Sequence, residues 1–452
     1  MNDGRVSTPP SVPRFGRYPE YRDSGVEWLG QVPAHWEIRR LGAIGRITKC
    51  SGGTKADEVA EGIPCVRYGD LYTSHGVSIT RSRTFVSHER ADSYSTIKNG
   101  DLLFAASGET IDEIGTCAVN LMDGEAVCGG DVILLRPAIP LNARFLGFAA
   151  NSPYIAHQKS RLGRGMTVMH IYGRQLKDIV MLVPLVPEQR AIADFLDRET
   201  ARIDELVAKQ EQLIHLFEEK RTALIARAVT CGLDPVPNAF VAGTHAFQEV
   251  PNDWQLWPIR RLVRQVKRPI SVEPEMEYQE IGIRSWGKGI FHKDPVRGAV
   301  LGKKSVFCIK PGDLVLNIVF AWEGAVAVVS PQEIGMIASH RFPTFRVSDQ
   351  VDLDYLLMVL QSDQGRCLME INSPGAAGRN KTIRINQFLD EELPLPPPHA
   401  QRAIVAAFRD QEARLSVLTH KTVQAIHLLK ESRAALISAA VTGKIDVREV
   451  PA

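Results

Sequence analysis

What this sequence lacks narrows its function before any motif is read. No run approaches the roughly 18 consecutive apolar residues that a membrane-spanning helix needs, and the N-terminus has no charged-then-apolar leader pattern, so membrane insertion and export are unsupported and the cytoplasm is the expected compartment. Cysteine is sparse and scattered: Cys50, Cys65, Cys117, Cys128, Cys231, Cys308 and Cys367 form no C-x-x-C pair and have no nearby histidine partners. That spacing argues against a zinc site and against a disulfide framework, leaving buried thiols as the expected state. Neither sign of charge dominates, since 54 basic and 52 acidic residues leave a formal net charge of +2. Catalytic signatures are missing too. There is no F-x-G-x-G with N/D-P-P-Y/F for adenine methylation, no H-E-x-x-H, no G-x-S-x-G and no convincing nuclease set of carboxylates and lysine. GAVLGKKS (298–305) fails the P-loop spacing. The chain reads as a binder rather than a catalyst, and its 44% hydrophobic content is that of a folded protein with room for two or three domains.

What is present is a duplication. QRAI occurs at 189–192 and again at 401–404, and its surroundings repeat at the same offset of 212 without a gap. Ala201, Arg202, His215, Leu216, Arg221, Leu224, Ala228, Val229 and Thr230 each find the identical residue 212 positions later. Upstream the repeat is weaker and carries small indels, as loops do. VPAHW (32–36) answers VPNDW (250–254), IKNGDLLF (97–104) answers IKPGDLVL (309–316), and GRGMT (163–167) answers GRNKT (378–382). Gly69 and Gly76 answer Gly282 and Gly289. Each copy comprises a variable globular part and a better-matched helical part, a period too long for a solenoid.

In the helical parts apolar residues recur in a four-three alternation, the seam of a coiled coil. The first copy places Leu196, Ile203, Leu206, Gln210, Leu213, Phe217 and Leu224 on it, and the second Phe408, Leu415, Leu418, Thr422, Leu429 and Leu436. A segment of about 43 residues would be ~65 Å long as one helix, and a seam of that length needs a partner, the other copy being the obvious one. Gln210 and Thr422 interrupt it; a polar pair can fix register, or the position can be partly exposed. Gly232 and Gly443 are candidate glycines just past the helix ends. The globular parts mix β-rich runs (126–137, 324–331) with helical stretches (143–159, 353–371), so each is expected to be a compact α+β domain. Trp36 and Trp254 are expected in the core. Between 151 and 177 there is no acidic residue, and Arg260, Arg261, Arg264, Lys267 and Arg268 cluster in the second copy. Such local positive faces suit a polyanion, or are ordinary solvated surface.

YRDSGVEWLGQVPAHWEIRRL near the start, P-L-x-P-E-Q-R-A-I before the first long helix and A-L-I-S-A-A-V-T-G-K-I-D near the end together resemble the specificity subunits of Type I restriction-modification systems. The resemblance implies an α+β protein: two mixed α/β target recognition domains in pseudo-two-fold repeat, separated by two long helices forming an antiparallel coiled coil. The corresponding boundaries are an N-terminal arm (1–31), recognition domain 1 (32–183), a central helix (184–232), a linker (233–249), recognition domain 2 (250–395), a C-terminal helix (396–445) and a tail (446–452). It implies a non-catalytic chain that binds double-stranded DNA, two methyltransferase subunits and restriction or translocase subunits, with S-adenosylmethionine, ATP and Mg used by those partners and no cofactor or metal in this chain. Candidate DNA contacts are Lys159, Arg161, Arg164, Thr167 and Arg174 in the first domain, and Arg284, Lys288, Arg366, Arg379, Lys381, Thr382 and Arg384 in the second. The rivals are a self-sufficient DNA-modifying enzyme and a coiled-coil scaffold with no DNA role.

Overall fold

The run VILLRP (132–137) is apolar without alternation, the pattern of a strand buried on both faces. In a computed structural model of the chain, which describes residues 15–108, 115–162, 169–233, 239–241, 244–302, 304–375 and 381–449, it is an inner strand. Gly45–Lys49, Val132–Pro137, Leu102–Ala105, Cys117–Asn120 and Ser78–Ile79 lie side by side in one five-stranded sheet. The second copy repeats four of these in order: Val263–Val266, Thr344–Val347, Leu314–Leu316 and Val326–Val328. The first copy has in addition a five-stranded sheet through Ile63–Val66 and Ala126–Cys128. The helical stretches are each two short helices, Ala143–Ala150 with Pro153–Ser160 and Leu353–Gln361 with Asp363–Ile371. The chain is thus mixed α/β in both copies, as expected.

The described residues form two compact units. One runs up to Gln210 and resumes at Gln424; the other is Glu211–Val423. Both long helices, Val186–Thr230 and Pro398–Val441, contribute one half to each unit. In the first unit Ile192 and Leu196 share a core with Ile437, Ala440 and Val441, and Arg433 donates to Asp204 at 2.9 Å. In the second, Ile225, Ala228 and Val229 share a core with Ile404 and Val405, and Arg221 donates to Glu412 at 2.9 Å. Rising numbers on one helix meet falling numbers on the other, so the pairing within each unit is antiparallel.

The seam differs from the sequence reading at one repeated place. Leu206 and Leu418, 212 apart, are exposed (39% and 46%), while Val207 and Thr419 are half-buried in their stead. Ile203, Gln210, Leu213, Phe217, Leu224, Phe408, Leu429 and Leu436 are half-buried, and Leu196, Leu415 and Thr422 buried. Thr422 Oγ1 donates to the Leu418 carbonyl of its own helix at 2.9 Å, so its hydroxyl is satisfied locally.

The repeated motifs turn out to be joints. Gln189 and Gln401 are fully buried where helix meets globular part. Gln189 Oε1 accepts from the Asn142 amide at 2.8 Å and its Nε2 donates to the Pro184 carbonyl at 2.8 Å; Gln401 does the same with Asp352 (2.7 Å) and Pro396 (2.9 Å). In the GD turns, Gly100 and Gly312 adopt positive φ (89° and 80°), and the buried Asp101 and Asp313 cap the turn by accepting from the Lys98 and Lys310 amides. Asp101 then pairs with Arg136 (2.6 Å), and Asp313 with Arg268 (2.5 Å) and Arg346 (2.8 Å). These bonds hold the Arg136 and Arg268 guanidinium groups above the ordinary arginine range. Trp36 and Trp254 are buried as expected, and Trp36 Nε1 donates to the buried Glu188 at 3.0 Å. Gly232 and Gly443 take φ of 74° and 69° just past the helix ends.

The first unit is closed by distant parts of the sequence. Strand Tyr21–Asp23 pairs with Gln31–Pro33, Gly16 bridges to Asp446, and Tyr21 Oη donates to the Gly443 carbonyl at 2.9 Å. In the second unit the hairpin of Ala239–Val241 and Glu249–Pro251 takes the corresponding place after its own helix end.

Candidate nucleic-acid interface

In the first unit the acid-free stretch begins on helix Pro153–Ser160, where Lys159 is buried rather than exposed. Its ammonium donates to the Gly115 (2.6 Å) and Ala150 (3.1 Å) carbonyls, and it lies 6.0 Å from the Phe104 ring. A long aliphatic stem with a satisfied head can be buried, so Lys159 is an internal tie and is corrected out of the contact set. Arg161 is exposed just beyond that helix. Arg164 and Thr167 lie outside the described residues. The chain returns as strand Met169–His170, paired with Ser107–Gly108, with Ser107 Oγ and His170 Nδ1 3.1 Å apart. Arg174 is exposed on Gly173–Leu176, 5.7 Å from the ring of the half-exposed Tyr172.

The second unit brings more of its candidates together. Arg284 and Lys288 are both exposed in the tip of a hairpin whose strands are Ile281–Ile283 and Ile290–His292. Between them stands Trp286, 58% exposed. Arg366, ion-paired with Asp363, lies 5.0 Å over the Trp286 ring. The turn Ala321–Glu323 holds the tip: the Glu323 carbonyl accepts from the Trp286 amide at 2.8 Å, and its carboxylate accepts from Ser285 Oγ. On the same turn, Trp322 has Lys381 4.8 Å over its ring, with Lys381 also paired to Glu370 at 2.7 Å. Thr382 and Arg384 are exposed, and Arg379 lies outside the described residues. Of the basic cluster 260–268, Arg268 pairs with Asp313 and Arg260 with Asp390. The remaining Arg261, Arg264 and Lys267 face solvent wholly or in part.

Beside the hairpin is a cavity of about 510 Å³ walled by Trp286, Phe291, Phe320 and Phe342, with Arg284, Lys288, Lys293 and Asn317 also lining it. Trp286, Lys293, Asn317 and the phenylalanines escaped the sequence reading. The signal for Trp286 was present in RSWGKG, an aromatic among cations and followed by Gly287 and Gly289. Below the hairpin Glu280 pairs with Lys304 (2.5 Å) and Lys293 (3.4 Å). Burial pushes its carboxyl up, but the two ammonium groups outweigh that and hold it below the usual range. Burial likewise raises Glu333, and His292 at 2.9 Å with the Ser330 hydrogen bonds brings it below.

Among the described residues no group of His, Cys, Asp and Glu is placed to hold a metal ion, and no helix is long and apolar enough to cross a membrane. Cys50, Cys65, Cys117 and Cys128 are buried, Cys308 and Cys367 partly so, and Cys231 is exposed. What the interface offers is exposed cations set against aromatic rings, an arrangement suited to phosphate and base together.

Residues 33–215 match the family model of the Type I restriction modification DNA specificity domain. The chain is 23% identical over 207 residues to the Type I restriction enzyme StySPI specificity subunit of Salmonella potsdam, and 24% identical over 206 residues to the EcoKI specificity subunit of Escherichia coli K12. Each alignment spans 44% of this chain and 44% of the relative, so the chain spans less than half the length of these curated relatives. Among solved structures, a chain from a type I R-M system studied for complex assembly and conformational transition aligns over 92% of this chain and 99% of its own, with a TM-score of 0.68 and 17% identity. The HsdS subunit from Thermoanaerobacter tengcongensis aligns over 92% and 98%, with a TM-score of 0.50 and 18% identity. These two likenesses concern the fold, and they cover the second copy as well as the first. With the duplication read from the sequence, the family match over the first copy and the same fold throughout, the chain is similar to the Type I restriction-modification specificity subunits in its first copy by sequence and in both copies by fold.

Proposed function

We propose that this chain is the DNA sequence-recognition subunit of a Type I restriction-modification complex, each unit reading one half of a bipartite, asymmetric site in double-stranded DNA. One observation carries the reading, which is duplication with divergence at the surface. The same sheet, buried glutamine joint and pairing of a buried Asp with a strand Arg recur in both units, whereas the segments bearing exposed aromatics and cations differ. RYGDLYTSHG contains a short helix, Tyr68–Thr73, where its counterpart EIGIRSWGKG forms a hairpin tip. A scaffold kept constant under a changed contact surface is what reading two different half-sites requires.

Arg161, Arg174, Arg284, Lys288, Arg366, Lys381, Thr382 and Arg384 are the proposed contacts, and the same role is proposed for Arg164, Thr167 and Arg379. Half-sites read from one face of a duplex stand about one turn, ~34–36 Å, or a multiple apart, and the two long helices would set that spacing and dock two methyltransferase subunits. Restriction or translocase subunits would join the same complex. S-adenosylmethionine, ATP and Mg would be used by the partners, with no chemistry assigned to this chain. The test is reconstitution with a methyltransferase partner and sequencing of the methylated adenines. A site in two separated halves is expected; a single continuous site, or modification by the purified chain alone, overturns the assignment. In the same assay Arg384→Ala should weaken binding uniformly and lower the salt slope by about one if it meets a phosphate.

A further inference from the structure

Trp286 is the one non-glycine residue with positive φ (63°) among the described residues. A bulky side chain there strains the backbone, and the strain is locked in. Arg284 N–H closes the tip onto the Gly289 carbonyl at 2.9 Å, while Trp286 and Gly287 donate to the Glu323 and Gly324 carbonyls at 2.8 and 3.4 Å. The result is an indole 58% exposed. A strained backbone and an unburied aromatic are both unfavourable to folding. Such costs concentrate where a ligand is met.

The surroundings say what kind of ligand. Arg366 lies 5.0 Å over the indole, which sets a cation against the ring, and the indole is still more than half exposed to an incoming partner. Gly324 leaves room for that contact, since a Cβ there would come within 3.1 Å of Arg366 Cδ. The cavity beside the indole continues the aromatic wall through Phe291, Phe320 and Phe342, and Arg284, Lys288 and Lys293 supply positive charge. A flat, apolar partner attached to a polyanion fits this set, which is a nucleobase on its phosphodiester backbone. An internal base of an intact duplex has both faces covered by its neighbours, so the indole can stack only on a base that has left the duplex stack.

We infer that Trp286 stacks on one base of the half-site read by the second unit, with Arg366 backing the indole and Arg284 and Lys288 at the flanking phosphates. The inference rests on the DNA-recognition reading above and adds to it a residue and a mode of contact. It also assigns the contact to one half-site, because Thr73 stands in the place of Trp286 in the first copy.

The experiment uses the full chain reconstituted with methyltransferase subunits and a short duplex carrying the site found by methylation mapping. Trp286→Ala should weaken binding of that duplex roughly ten- to a hundredfold, relax discrimination at one position of one half-site and leave unrelated duplex unchanged. Trp286→Phe should retain most of the affinity. Binding should also quench a component of wild-type tryptophan emission that is absent from Trp286→Phe, a comparison that decides the question even where the alanine variant fails to fold. Unchanged affinity and discrimination in Trp286→Ala, an equal loss on mapped and unrelated duplexes, or identical quenching in Trp286→Phe overturns the inference while wild-type recognition stands. A wild-type complex that prefers no duplex overturns the recognition reading itself, and the inference with it.

Discussion

Replacing Gln189 with methionine keeps the volume of a fully buried side chain and deletes both hydrogen bonds that join the first long helix to its globular part. The net loss is about 1 kcal/mol per bond, and a buried group left without a partner costs ~1–3 kcal/mol more. The bond to the Pro184 carbonyl is buried and its acceptor would bear that cost, whereas the bond from the Asn142 amide is only part-buried. The expected destabilisation of the joint is therefore ~3–5 kcal/mol. Read as amide hydrogen exchange, that is roughly a 150- to 5000-fold acceleration at Asn142, with Asp352, the matching amide of the other unit, unchanged. Gln401→Met should give the mirror result. Acceleration below about fivefold at Asn142, or equal acceleration at both amides, would refute the view that these glutamines act as separate, equivalent joints.

Two further outcomes follow from the packing and the charges. Leu196→Ala, in the closed core of the first unit, should cost ~2–5 kcal/mol in urea unfolding, while Leu206→Ala, exposed on the same helix, should stay within about 0.5 kcal/mol; equal effects would contradict the seam described here. Glu280 and Glu333 have carboxyls held below their ordinary values in the fold, so their contribution is present above the unfolded value and is lost as pH falls through the folded one. The second unit should lose stability progressively below about pH 4.5, the ordinary glutamate value, and Glu280→Gln should flatten that slope; an unchanged acid profile would count against the Lys293 and Lys304 pairing.

Much of the architecture was legible because duplication marks structure twice. The two QRAI motifs and the GD turns, which share one offset, are joints and turns, and the terminal glycines, one residue off that offset, lie just past the helix ends. The heptad reading slipped by one position at Leu206 and Leu418, where leucine flanks the seam and a threonine at 419 hides it. A straight helix drifts relative to a strict heptad, so a large apolar residue beside the seam is easily mistaken for one in it. Lys159 was misplaced for a different reason: a stretch without acids looks like surface, but a lysine stem can enter a core when carbonyls receive its head. Trp286 carries a partial signal in RSWGKG, an aromatic among cations, but its positive φ and its exposure are not written in residue type. The closure of the first unit by Gly16, Tyr21, Gly443 and Asp446 had no signature either, since the arm before residue 32 offered no repeated motif to match.

That closure makes the two units unequal during synthesis on the ribosome. The second unit is one uninterrupted stretch, Glu211–Val423, and has all its parts as soon as that stretch emerges. The first has most of its chain out by Gln210 but must wait for the stretch that starts at Gln424. At about 5–20 residues per second the intervening roughly 200 residues take ~10–40 s, during which the faces of Ile192 and Leu196 that await Ile437, Ala440 and Val441 are uncovered. A nascent chain in that interval is open to chaperone binding or to capture by a neighbouring copy's C-terminal segment. Ribosome stalling within the second unit would therefore leave the earlier-made unit as the unfinished one.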